Sequence, residues 1–225
     1  MLHEQSPKRW TRRIGTGVGL ATLLSAGVAT AQALEPTKAC QVYTTTQMYE
    51  RWGDDADYFL IDEGDFESVT ALPAGSWTIQ KGNVSIVTDD APIRRKPQSK
   101  VLQLTTAIDG SGLNAAAQSR YHCVLPNQQK MRFMARTNDP NAVLKGRIVF
   151  NDKGNKLEFV LSYQLNGTDY LKWKPGPTNF WITEEQFKQK TGKSLSNDYD
   201  VSVVFESLKG TWFVDDVAID PFRSR

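Results

Sequence analysis

The chain's apolar residues come in short runs, many of them alternating with polar ones and broken every few residues by Gly, Pro, Asn or Asp. After the first 33 or so residues, no stretch sustains the 3.6-residue spacing of an amphipathic helix. Period-two runs between turn-forming residues are the mark of half-buried strands. The pattern places strands at Tyr58–Ile61, Phe66–Thr70, Trp77–Ile79, Val84–Thr88, Val101–Thr106, Ser119–Val124, Lys130–Arg136, Leu144–Phe150, Leu157–Tyr163, Tyr170–Trp173, Asn179–Ile182, Asp200–Glu206 and Trp212–Ile219. So many short strands in one core-sized domain imply a sandwich or a barrel.

The turns and loops fit. Asp152-Lys153-Gly154-Asn155 reads as a hairpin turn between two strong strands, with Gly154 free to take positive φ, and Asn166-Gly167 is a second hairpin signal. Asp89 to Lys100, with Pro92 and Pro97 among basic residues, reads as an exposed loop, and Asp109 to Gly112 as another flexible stretch. The one helical candidate is Glu184 to Thr191. Thr183 would be its N-cap, Glu184 and Glu185 its acidic first turn, and Gly192 its stop. The sequons at Asn83 and Asn166 read as turns.

The first 33 residues have the layout of a secretory signal peptide. Lys8-Arg9-Trp10-Thr11-Arg12-Arg13 is a positive n-region, Gly17 to Val28 an apolar region diluted with Gly, Ala and Thr, and Ala31-Gln32-Ala33 a small-x-small cleavage site. The apolar run is short for a membrane-spanning helix, which needs about 20 apolar residues. Arg12-Arg13 raises the twin-arginine route, although Phe-Leu-Lys does not follow it; general secretion is the alternative. The implied destination is the periplasm or the outside of the cell, with no transmembrane segment after signal removal.

Removing Met1 to Ala33 takes away four basic residues and one acid, so the formal charge of +2 becomes −1. A nucleic-acid binder needs a positive field to neutralise phosphates, so that class is disfavoured. The remaining cysteines are Cys40 and Cys123. An even count in an exported protein reads as a disulfide, with a pair of buried free thiols as the alternative. The bond would close a loop of about 80 residues, worth up to roughly 4–5 kcal/mol in the chain-entropy view. The expected organisation is therefore a signal peptide over 1–33, an N-terminal extension over 34–57 tied by the disulfide, and a β-sandwich over 58–225.

Several motifs occur in a fixed order: Cys40-Gln41-Val42-Tyr43, Trp52-Gly53-Asp54, Gly64-Asp65-Phe66-Glu67, Cys123, Met131-Arg132-Phe133-Met134-Ala135-Arg136, and Val214-Asp215-Asp216-Val217 with Asp220-Pro221-Phe222-Arg223-Ser224-Arg225. In these the chain resembles a group of small, mostly uncharacterised secreted bacterial proteins of jelly-roll design. More distantly it is similar to galactose-binding-like carbohydrate-binding modules. The resemblance implies an all-β jelly-roll sandwich. It also implies a structural calcium shared by a first-strand Glu and a last-strand Asp, here Glu67 with Asp216 or Asp215. Calcium takes six to eight oxygens. In a regular strand Asp215 and Asp216 face opposite sides, so at most one can enter a given site, and Asp216 is preferred by its place in the terminus. Asp55-Ala56-Asp57 lacks the glycine of an EF-hand loop.

Sugar binders present Trp or Tyr faces to the apolar side of a pyranose, flanked by polar side chains. The candidates are Tyr170, Lys172, Trp173 and Trp181; Trp77 and Trp212 lie in apolar alternation and are expected in the core. Catalytic devices are lacking. His122 is the only histidine outside the signal segment, and the chain has no Gly-x-Ser-x-Gly elbow and no His-Glu-x-x-His. Neither the Glu-x-Asp-x-x-Glu strand of jelly-roll glucanases nor the Gln-Ile-His strand of alginate lyases is present. The expected function is a noncatalytic secreted binding module for a glycan or another cell-envelope ligand. The alternatives are a structural or protein–protein interaction domain of the envelope and, third, a polysaccharide hydrolase or lyase.

Overall fold

The computed structural model describes residues 44–73, 75–90, 98–123, 130–152, 158–177, 183–194 and 199–220. The expected signal peptide, Cys40, Trp181, the strand at 179–182 and the Gly154 turn lie outside these residues.

Among the described residues, eleven strands and one α-helix follow in order: β1 Phe59–Leu60, β2 Trp77–Lys81, β3 Asn83–Asp89, β4 Ser99–Thr106, β5 Ala115–Ser119, β6 His122–Cys123, β7 Lys130–Thr137, β8 Val143–Asp152, β9 Glu158–Asn166, β10 Lys174–Pro175, α1 Glu184–Thr191 and β11 Tyr199–Asp220. All pairings are antiparallel and β11 is the hub. Its first half lies between β8 and the β5–β6 edge, with β9 beyond β8 and β2 beyond β5, making sheet I. Its second half lies between β7 and β4, with β10 beyond β7 and β3 beyond β4, making sheet II; β1 pairs with its end. The two sheets share one strand and face each other as a jelly-roll β-sandwich.

The interior is built from alternate residues of both sheets. Phe133 of sheet II meets Phe205 of sheet I edge-on at 4.7 Å, Trp77 stacks beside Phe205 at 6.3 Å, and Tyr170 packs on Trp212 at 5.8 Å. Trp77 and Trp212 are fully buried, as their alternation predicts.

β11 changes its inward parity twice. Val201, Val203 and Phe205 join the core, then Trp212 and Val214, then Val217 and Ile219. Each change coincides with a register shift, between Ser207 and Lys209 and between Asp215 and Ala218. A one-residue slip flips which side chains face inward, and a bulge supplies that slip locally. The expected strands Asp200–Glu206 and Trp212–Ile219 are thus one continuous strand.

Other boundaries differ. Phe66–Thr70 is not a strand but a series of tight turns, in which Glu63 and Phe66 carbonyls accept from the Phe66 and Val69 N–H groups. Phe66 and Val69 are buried at a three-residue spacing that turns, not a strand, provide. Tyr170–Trp173 is not a strand either; a 3-10 turn at Gly167–Asp169 ends β9, and only Lys174–Pro175 pairs with β7. Asn166-Gly167 therefore opens that turn and not a hairpin. β5 begins earlier than expected, because Ala115 to Ala117 carry no β-forming signal yet pack flush against Phe205 and its neighbours. The helix is as expected, with Thr183 and Gln186 forming a reciprocal capping box and Gly192 left-handed at φ 72°.

The termini of the sandwich meet. Phe59 and Leu60 pair with Ile219 and Ala218. The segment before β1 lies over the outer side of sheet II, where Tyr49 and Tyr58 pack with Met134 and Ala218 in a second, smaller core.

Candidate functional site

A cleft of about 440 Å³ opens where β9 and β10, the outer strands of the two sheets, approach each other. It is lined by aromatic residues Trp52, Tyr163 and Tyr170, polar Gln164, Asn166 and Asp169, cationic Arg132 and Lys174, and the Pro175–Pro177 turn.

Trp52 reaches the cleft because the chain before β1 is locally shaped and pinned. A single 3-10 turn, Glu50–Trp52, ends at Gly53 in the left-handed region at φ 77°. Asp54 follows, buried, and is the anchor. It accepts from Tyr58 Oη at 2.8 Å and from Arg132 Nε at 2.7 Å, with Lys130 Nζ at 3.4 Å. Burial opposes ionisation of Asp54, but the Tyr58 hydrogen bond and the Arg132 and Lys130 charges prevail and hold its carboxyl below the usual range. Tyr49 completes the attachment by donating its hydroxyl to the Asp216 carbonyl. The Arg51 guanidinium lies 3.7 Å over the Trp52 ring.

Tyr170 forms the floor. Its ring belongs to the main core, its hydroxyl donates to the Pro175 carbonyl at 3.4 Å, and Lys174 Nζ lies 5.6 Å from its ring centroid. Burial pushes the phenol pKa well up. Tyr163 is half-buried, its pKa raised by burial and by Asp169. Asp169 supplies the one carboxyl group among the described lining residues.

Of the sequence-derived candidates, the cleft brings in Tyr170. Lys172 is exposed and does not line it. Trp173 packs instead against the second core, with Arg136 5.7 Å above its ring. Both sit in the bend after Tyr170, where strand alternation does not apply. Trp181 lies outside the described residues. Trp52, Tyr163, Arg132, Asp169 and Lys174 were not among those candidates; Trp52 and Arg132 lie in quoted motifs, Trp52-Gly53-Asp54 and Met131 to Arg136, without a binding role assigned to them.

The acidic candidates do gather. Asp215 and Asp216 are both buried, at 2 % exposure each, inside the second bulge of β11. Asp216 is left-handed at φ 48° and its N–H donates to Asp215 Oδ1 at 2.8 Å. The strict strand alternation expected for the pair is therefore absent. Burial, then Asp216, Asp65 and Glu67, push the Asp215 carboxyl up to about 9. Glu67 accepts from Ser99 Oγ. Several backbone oxygens here are already engaged: Gly64 O with Val217 N–H, Val217 O with Ile61 N–H, and Asp216 O with Tyr49. Among the described residues no three His, Cys, Asp or Glu side chains converge as a metal shell. The side-chain donors gathered here are not those of a closed metal site.

The sulfur pair is open. β6 sets Cys123 opposite Asp200, while Cys40 is outside the described residues. His122 beside it is buried, its Nε2 without a partner, and burial followed by Arg120 lowers its pKa to about 4. His122 is not among the residues that line the cleft.

No protein-family profile and no curated protein matches this sequence. Among solved structures, the chain is similar to a family 61 carbohydrate-binding module in complex with β-1,4-galactotriose, at 14% identity and a TM-score of 0.43, over 72% of this chain and 98% of that one. It is also similar to the family 11 module of a Clostridium thermocellum cellulosomal cellulase, at 14% identity and a TM-score of 0.47, over 73% and 95%. A family 16 module aligns at 13% identity and a TM-score of 0.45, over 72% and 99%.

Proposed function

We propose that the chain is a noncatalytic module that binds a glycan in the Trp52–Tyr163–Tyr170 cleft. The observation that supports this reading is the composition of the cleft. Three aromatic side chains are interleaved with amide, carboxylate and cationic groups in a groove sized for one or two sugar rings. Aromatic faces take the apolar side of a pyranose, and the flanking polar groups take its hydroxyls. The setting belongs to the same proposal: an exported protein of the periplasm or cell exterior, acting on a polysaccharide of the envelope or its surroundings. A calcium ion beside Glu67, Asp215 and Asp216 and a Cys40–Cys123 disulfide are its proposed structural supports.

The test is a glycan array probed with the full protein and with Trp52→Ala. Specific binding that Trp52→Ala weakens by roughly tenfold or more, with folding unchanged, is the expected result. Binding that ignores Trp52, Tyr163 and Tyr170 alike would remove the cleft from the proposal. A protein-partner reading has one observation in its favour: Ile108 and Leu113 are exposed at 45 % and 78 %, and Ile108 borders a second hollow of about 500 Å³ with Asn138, Thr211 and Phe213. An array with no hits would favour that reading.

A further inference from the structure

Arg132 is a buried cation with one corner to spare. Its side chain is 5% exposed. Nε donates to Asp54 and Nη1 to the Gly176 carbonyl, which fixes the plane of the guanidinium. Among the described residues Nη2 has no protein acceptor, and it is not among their buried atoms left without one, so it reaches the cleft surface. Arg132 lines the cleft, and that opening is where the free corner of a nearly enclosed side chain emerges. A planar, charged donor locked on two sides is pre-organised for an oxygen acceptor on the third.

The cleft is electrically uneven. Asp169 supplies the carboxylate among the described lining residues. Two cations serve the Tyr170 end: Lys174 Nζ lies 5.6 Å from the Tyr170 ring centroid, and Arg132 lines the same opening. Asp54 offsets part of the Arg132 charge, but Lys130 shares that carboxylate. The Tyr170 end is therefore the end suited to an anionic substituent.

We infer that this site takes an acidic glycan, one whose ring over Tyr170 carries a carboxylate held by Arg132 Nη2 and Lys174. This rests on the cleft being the glycan site, and it narrows the ligand to the uronic-acid class. Neutral sugars would leave the Arg132 corner with only a hydroxyl to meet, a weaker partner than a carboxylate.

The experiment is calorimetric titration with a panel of uronic-acid oligosaccharides (galacturonate, glucuronate, mannuronate and guluronate types). Each is paired with its carboxyl-reduced neutral counterpart, at low and high salt. The expected result is that at least one acidic probe binds roughly tenfold or more tightly than its reduced twin. That preference should shrink at high salt, and Lys174→Ala should cut the ratio of acidic to reduced affinity severalfold. Arg132→Lys, which keeps a cation for Asp54 but loses the fork, should abolish most of the preference. If Arg132→Lys does not fold, Lys174→Ala and Lys174→Glu decide alone, since Lys174 is exposed. Equal binding of acidic and reduced probes, or binding of neutral glycans only, overturns the acidic-ligand inference and leaves the cleft as a glycan site. No binding by any probe or neutral glycan overturns both.

Discussion

Asp54 and Arg132 lie 78 positions apart in the chain and meet in a buried ion pair at 2.7 Å. That one bond does two jobs. It fastens the segment carrying Trp52 to the outer side of sheet II, and it orients the guanidinium that lines the cleft. Asp54→Ala leaves Arg132 and Lys130 without their carboxylate, and should cost roughly 3 kcal/mol, the range for breaking a buried pair from one side. Urea denaturation measures it. A loss under about 0.5 kcal/mol, the range of an ordinary surface substitution, would show that the segment is held by Tyr49 and Tyr58 alone.

His122 makes the fold sensitive to mild acid. Its pKa in the folded chain is lowered to about 4, from the usual 6.5, by burial and then by Arg120. Between those values the unfolded chain binds the proton and the folded chain does not, so stability rises with pH across that window. The contribution is complete above pH 6.5 and lost as pH falls towards 4, amounting to about 3 kcal/mol from a shift of this size. Unfolding free energies measured from pH 4 to 7 should show this slope, and His122→Gln should flatten it. An unchanged slope in that variant would assign the acid sensitivity elsewhere.

The carboxyl groups of Asp65, Glu67, Asp215 and Asp216 crowd one end of β11. A calcium ion there would relieve their repulsion and complete its shell with backbone oxygens and water. The thermal midpoint should fall by several degrees in EDTA, about what 1 kcal/mol is worth in a domain this size, and recover with added calcium but not magnesium. A midpoint indifferent to both ions would leave these acids as a purely structural cluster.

Thiol titration of the denatured, unreduced protein checks the sulfur link. The expected count of reactive thiols is zero, rising to two after reduction, together with a drop in stability. Two thiols before reduction would show that the extension is attached by the Asp54 pair and the aromatic cluster without covalent help.

Much of the sandwich was legible because alternation survives wherever one face of a strand is core. Val201 to Phe205, Trp212 to Val214 and the β3–β4 pair follow it. What escaped is where the alternation fails. The two bulges of β11 hide inside an apolar run that reads as two separate strands. Ala115 to Ala117 have no β-branching to announce them, because the space against Phe205 calls for small residues. Phe66 and Val69 look like strand residues but are buried by turns. Of the aromatic and cationic candidates read from the sequence, Tyr170 is the one that lines the cleft. Arg132 and Lys174 earn their place through a cleft formed between strands distant in sequence, and no local spacing encodes that. Trp173 and Lys172 misled because a strand was expected where the chain bends.

A single ribbon near the C-terminal end completes both halves of the barrel-like wall. Until Tyr199 to Asp220 has been synthesised, β4, β5, β7 and β8 have no common neighbour to bring them together, and the aromatic interior has nothing to close upon. Each half of the sandwich therefore depends on the same ribbon, so loss of the segment from Tyr199 to Asp220 would undo both sheets at once.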